Sequence, residues 1–381
     1  MTISKDQLEN RAYTSDATAF NLRLGGKSHP EQRDCPMDVP PATQVNPDGT
    51  VTFRFYAPNA ASVEVGHMRE EPTPMVKGED GVWTATLSFP FPGMKEIRWR
   101  VDGVDVMSPF APIAFGFGRP VNYVDIPCPE QDYLMIRDVP HGGVVREYYK
   151  STVTGQWESC LVYLPPQYYT EPERRFPVLY LQHGGGENEN CWIYEGKTNF
   201  IMDNLLSEDK AVPAIIVMNN GMVQMPDGNG GWQVDSERLQ DLLTEDCIPF
   251  IDGRYRTLTD AWNRAYAGLS MGSLQGGRLF MERRDLFASA GLFTGFRYPP
   301  FRSNEKQDFL HAMDDVEAFN KTVRLFFIAV GKNEESLTKV EGEDRFLTEQ
   351  GIHHVFRAYP GDHEWHTWRA CLHEYLQLLF R

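Results

Sequence analysis

The sequence predicts an α/β domain preceded by a smaller, immunoglobulin-like β-sandwich. Two observations predict the α/β part. Dense apolar runs recur between stretches of helical period, and one run ends in the tight turn Gly268-Leu269-Ser270-Met271-Gly272. Such runs suit strands buried on both faces of a parallel sheet. A third observation predicts the sandwich: short segments in the N-terminal third alternate strictly between apolar and polar residues, as strands with one wet face do.

In chain order, residues 1–42 are polar, lack a clear period and are expected to form an irregular leader on the surface. From 43 to 130 the pattern is β. Val51, Phe53 and Phe55 alternate with polar neighbours, Pro58-Asn59-Ala60 marks a turn, and Val63 and Val65 follow. Trp83, Ala85, Leu87 and Phe89, then Ile97, Trp99 and Val101, carry the pattern to an Asp102-Gly103 turn. Strands and turns at this spacing predict two small packed sheets. Residues 106–145 are rich in Pro and Gly and read as a connection. From 143 to 381, apolar runs at 160–164, 178–181, 214–218 and 325–330 alternate with helical stretches such as 236–251 and 308–320. A last helix is expected over 368–379, with Leu372, Tyr375, Leu376 and Leu379 on one side. That alternation fits one α/β domain.

Composition narrows the class of partner. The chain has 381 residues and a formal net charge of −16. Nucleic acids and anionic membranes both require a basic footprint, so neither is expected as a partner. No run approaches the 18 apolar residues of a membrane span, and the start lacks the apolar core of a signal peptide. The protein is therefore expected in the cytoplasm, or in the periplasm or medium if a signal peptide has been removed. Six cysteines (Cys35, Cys128, Cys160, Cys191, Cys247 and Cys371) lack C-x-x-C spacing. They read as free thiols, neither a disulfide framework nor a zinc site.

The chemistry is expected around Ser270. A G-x-S-x-G between an apolar run and a helical stretch is the nucleophile-elbow signature of α/β-hydrolases, in which a strained turn lifts the serine Oγ clear of the sheet. After the run 178–181 comes Gln182-His183-Gly184-Gly185-Gly186-Glu187-Asn188. In this fold a glycine-rich loop there supplies one N–H of an oxyanion hole, and the residue after the nucleophile supplies the other. The donors expected are the Gly185 and Met271 amides. His183 precedes the serine, against the Ser–acid–His order of the fold, and is expected to be structural. After Val330 the sequence is Gly331-Lys332-Asn333-Glu334-Glu335, so Glu334 or Glu335 is eligible as the acid. Before the last helix, Gly361-Asp362-His363-Glu364-Trp365-His366 offers His363 as general base, with His366 as rival. The i, i+3 histidine spacing is not H-E-x-x-H, so no metal is expected. Trp192, Trp232 and Trp365 lie on the same loops and are candidate surfaces for a flat acyl group or a sugar ring.

Taken together, these segments resemble the esterase-D-like hydrolases, and within them carbohydrate esterase family 1, which contains feruloyl and acetylxylan esterases. The segment Phe53-Arg54-Phe55-Tyr56-Ala57-Pro58-Asn59-Ala60 resembles the isoamylase N-terminal type of early-set domain, often grouped with carbohydrate-binding modules. The resemblance implies a cofactor-free serine esterase with Ser270 as nucleophile, His363 as base and Glu334 as acid, where an Asp is commoner in the family. The implied substrate is a plant polysaccharide or oligosaccharide bearing feruloyl esters. Acetylxylan or enterochelin-type siderophore esters are alternatives, and a non-catalytic carbohydrate-binding protein is a remote one. Nothing in the sequence indicates an oligomeric state.

Overall fold

The computed structural model describes residues 1–13, 41–296 and 308–381, in two compact units, Met1–Arg137 and Asp138–Arg381.

The first unit is a sandwich. One sheet runs in the order Thr43–Val45, Val51–Tyr56, Val82–Leu87, Val76–Lys77; the other runs Thr73–Pro74, Val63–His67, Gly93–Val101, Arg119–Ile126, Ile113–Gly116. The alternating residues meet between the sheets: Phe53 and Trp99 are both fully buried, with ring centroids 5.7 Å apart at 77°. Full burial of each such side chain is worth about 1.5–3 kcal/mol. The stretch 106–145, expected as a connection, instead contributes the strands Ile113–Gly116 and Arg119–Ile126 to this unit. Its glycines and prolines punctuate a hairpin, and the pairing that makes it a hairpin is invisible to composition. The expected leader also differs. Lys5–Glu9 is a helix whose N-cap, Ser4, forms a reciprocal capping box with Gln7, and Ile3 is buried in the sandwich core. Residues 14–40, and Cys35 with them, lie outside the described residues.

The second unit is built on an eight-stranded sheet. Its strands are β1 (Gly143–Lys150), β2 (Trp157–Leu164), β3 (Val178–Gln182), β4 (Ile215–Asn219), β5 (Arg264–Leu269), β6 (Ser289–Phe293), β7 (Leu325–Gly331) and β8 (Val355–Tyr359). They lie side by side in the order β1-β2-β4-β3-β5-β6-β7-β8. From β4 to β8 every pairing is parallel, and all residues of β3 to β6 are buried. That is what the apolar runs foretold. The run 160–164 is the exception: β2 pairs antiparallel with both β1 and β4, because periodicity reports burial and not direction. Helices Thr198–Ser207, Met271–Glu282, Leu337–Gln350 and Trp365–Leu378 pack on the sheet or on one another. The last begins three residues before the expected position.

Parallel strands put their C-terminal ends on one rim, and that rim is where such sheets bind ligands. Gln182, Leu269, Gly331 and Tyr359 end their strands there, and every loop nominated from the sequence leaves from it.

Candidate active site

The elbow is strained as its sequence requires. Ser270 has φ 48° and ψ −116°, between the end of β5 and the helix Met271–Glu282. A non-glycine residue in such a conformation costs on the order of 1–3 kcal/mol and persists only where its surroundings enforce it. The flanking glycines explain the enforcement. A Cβ on Gly268 would lie 2.6 Å from the Gly272 carbonyl, and one on Gly272 would lie 2.6 Å from the His183 carbonyl oxygen. Strand, helix and neighbouring loop therefore close to a distance that only glycine permits. The Tyr266 hydroxyl donates to the Gly272 oxygen at 2.7 Å and holds the turn from below.

Ser270, His363 and Glu334 form one hydrogen-bonded chain. The Ser270 hydroxyl donates to His363 Nε2 at 2.9 Å, and His363 Nδ1–H donates to Glu334 Oε2 at 3.0 Å. Direction follows from the acceptor, since an ionised carboxylate can only accept. The Glu334 side chain is 1% exposed. Burial alone would raise its pKa, but the hydrogen bond and charge of His363, the Gly331 N–H at 2.9 Å and the Ser336 hydroxyl at 2.9 Å outweigh burial. They hold the group below its ordinary value of 4.5. Its neighbour Glu335 is exposed to solvent and makes no contact with His363 among the described residues. The Asp362 carboxylate accepts the His363 backbone N–H at 2.8 Å, so it faces away from the ring. His366 is buried on the first turn of the last helix.

The glycine loop lies against the elbow. A Cβ on Gly184 would sit 3.3 Å from Ser270 Cβ, and one on Gly185 would sit 3.9 Å from Met271 Cβ. Met271 opens its helix, so its N–H belongs to the first turn, which has no partner within the helix. His183 is fully buried and structural. Its Nε2 accepts the Gly221 N–H at 2.9 Å, which leaves Nδ1–H to donate to the Gly184 oxygen at 2.8 Å. Burial, ahead of these bonds, pushes its pKa down to about 4 and keeps it neutral.

The three tryptophans divide. Trp192 is 1% exposed and donates its indole N–H to the Gln182 oxygen at 2.9 Å. It packs edge-on against Trp365, itself 4% exposed, at 5.2 Å. Both were candidate substrate surfaces, and both are instead packing residues that present no ring face to solvent. Indole is large enough to wedge loops together and carries one N–H that a backbone carbonyl can satisfy. Trp232 is 51% exposed, on the hairpin made by Gln224–Pro226 and Trp232–Val234.

Three contributors escaped the sequence reading. Trp368 meets the His363 ring edge-on at 5.0 Å and 86°, and only tertiary structure could reveal it. Ser336 bonds Glu334 from two residues on. The Glu187 carboxylate accepts the Gly184 N–H at 2.7 Å and fastens the glycine loop. A carboxylate three residues beyond a turn glycine is the signal that could have found it. Among the described residues, no group of three His, Cys, Asp or Glu side chains is placed to hold a metal, and no helix is long and apolar enough to cross a membrane.

Comparisons with known proteins agree with this geometry. The model of the family described as "Putative esterase" matches residues 151–379, and that of carbohydrate-binding module 48 (isoamylase N-terminal domain) matches residues 41–111. An endo-1,4-beta-xylanase/feruloyl esterase of Xylanibacter ruminicola is 34% identical over 348 residues, which are 88% of this chain and 46% of that protein. The chain thus spans about half the length of this relative. A CE1 ferulic acid esterase of Anaeromyces mucronatus is 25% identical and aligns over 66% of this chain and 96% of its own, with a TM-score of 0.54. The enterobactin esterase of Shigella flexneri is 15% identical and shares the fold over 87% of this chain and 93% of its own, with a TM-score of 0.63.

Proposed function

The chain belongs to the esterase family whose model covers residues 151–379, and from that premise we propose that it is a serine carboxylic-ester hydrolase. The reading is a feruloyl esterase that releases hydroxycinnamates from plant cell-wall polysaccharide. One observation carries the chemistry: the continuous hydrogen-bonded chain from Ser270 through His363 to Glu334, at a strained elbow beside a glycine loop.

In this reading His363 Nε2 takes the Ser270 proton as Oγ attacks the ester carbonyl. Glu334 holds the ring in the tautomer that leaves Nε2 free to accept, and stabilises the imidazolium that forms. The Met271 and Gly185 amides receive the negative charge of the tetrahedral intermediate. His363 then protonates the departing alcohol, and water repeats the sequence on the acyl-enzyme to release the acid. The substrate class rests on the relatives that are named as feruloyl or ferulic acid esterases.

Enterobactin esterase shares the fold over more of the chain, which keeps siderophore hydrolysis as the second reading. The net charge of −16 weighs against it, since an anionic ferric siderophore calls for basic contacts. Release of acid from methyl ferulate, acetylated xylan and enterochelin, measured side by side, separates the readings. The proposal expects methyl ferulate to be cleaved and Ser270→Ala to abolish cleavage. Unchanged turnover in that variant would remove the enzyme mechanism, and inactivity on methyl ferulate alone would remove the substrate.

A further inference from the structure

We propose that Tyr148 and Trp157, on the β1–β2 hairpin, form a stacking platform for the sugar backbone of the ester substrate. The inference rests on the reading that the ester is borne by a polysaccharide.

Tyr148 and Trp157 are 60% and 69% exposed, and neither packs against another ring among the described residues. The antiparallel register places them on one face, because Tyr148 stands opposite Ser159 and Trp157 opposite Lys150. That face ends on the catalytic rim. Cys160 pairs with Asn219, the last residue of β4, so residues 157–159 run past the end of the parallel strands on the side that carries Ser270. Three steps across the sheet separate β2 from β5, and four separate β1 from it. At the usual strand spacing this places the platform on the order of 15–20 Å from the nucleophile. A polysaccharide whose ester lies at Ser270 reaches that far within a few sugar rings.

The hairpin is held rigidly. Asp246 accepts the Ser151 hydroxyl at 2.6 Å and the Thr152 N–H at 2.9 Å at its turn. Beside Tyr148, Glu189 accepts from both Ser159 at 2.6 Å and Arg146 at 2.8 Å. Glu189 continues the loop that begins at Gly184 beside Ser270, so platform and site are joined through one segment. A fixed surface loses little entropy on binding.

The occupant follows from size and charge. Two rings offer at most about 500 Å², well short of the roughly 800 Å² per partner that a stable dimer buries. A flat pyranose, apolar on its faces and polar at its edges, matches two aromatic faces flanked by hydrogen-bonding side chains.

The test uses the full chain and soluble xylan freed of its esters by alkali. Replacing both rings, in Y148A/W157A, is expected to weaken xylan affinity about tenfold and to lower by a similar factor the ratio of kcat/KM on feruloylated xylan to that on methyl ferulate. Y148F/W157F, which keeps both faces, is expected to restore most of each. Unchanged xylan affinity in the alanine variant overturns the proposal, as does equal loss of kcat/KM on both substrates in alanine and phenylalanine variants alike. A dimer that disappears in Y148A/W157A while xylan affinity stays constant would assign the face to a second copy and also overturn it. Because affinity for ester-free xylan is read without any hydrolysis, failure of the platform and failure of the esterase reading are told apart.

Discussion

Glu334→Gln changes the charge of the chain from Ser270 to Glu334 with almost no change of shape, and the structure dictates its outcome. The Gly331 N–H points at Oε1 at 2.9 Å and needs an acceptor, so the carbonyl oxygen of a glutamine must occupy that position. Its NH₂ then takes the place of Oε2, 3.0 Å from His363 Nδ1. An NH₂ can only donate there, so Nδ1 must accept and the ring proton moves to Nε2. Nε2 then faces Ser270 as a donor and cannot take the serine proton. A wrong tautomer of this kind lowers kcat about 10⁴-fold, or roughly 5.5 kcal/mol of transition-state stabilisation. Steady-state hydrolysis of methyl ferulate measures the effect, and thermal unfolding checks that the variant is folded. The replacement also removes a titrating group. Since Glu334 is held below 4.5 in the folded protein, its stabilisation is present above that pH and lost as the pH falls through the lower folded value. Wild type should therefore lose stability relative to Glu334→Gln below about pH 4.5. Retention of kcat within tenfold of wild type would refute the tautomer argument.

Two further outcomes follow from the site. Glu187→Ala leaves the buried Gly184 N–H without its acceptor, at a cost of about 1–3 kcal/mol; kcat should fall about tenfold with KM little changed, short of the 10²–10³ lost with a whole oxyanion donor. Glu187→Gln keeps an acceptor oxygen and should recover most of the activity, and an alanine variant with wild-type kcat would show that the fastening is idle. Trp192→Ala empties a buried site beside Trp365, so denaturant unfolding should show a loss of about 3–5 kcal/mol, whereas a raised KM without lost stability would return Trp192 to the substrate.

Much of the site was legible because its requirements are local. A serine forced to positive φ needs glycines two residues away on each side, and a glycine loop must leave a neighbouring strand. The order of Ser270, Glu334 and His363 nominated three side chains that the fold links in one chain, with His363 2.9 Å from Ser270 and 3.0 Å from Glu334. The alternating β segments foretold the sandwich for the same reason, since one wet face leaves its mark on every second residue. Exposure of the tryptophans was not legible, because the same residue serves as wedge or as surface according to what packs over it.

The sequence by itself determined the two-part architecture, the elbow at Ser270 and the loops that meet it, each written in residues close together in the chain. Only the tertiary structure decided between Glu334 and Glu335. Adjacent side chains leave a loop in different directions, and the one turned toward Gly331, Ser336 and His363 is buried while the other meets water. The same holds for β2, whose apolar run says that it is buried and not which way it runs, and for Trp368, which reaches His363 only once the last helix has packed. Burial and backbone strain select residue types position by position, but direction and contact are settled by pairings between distant segments.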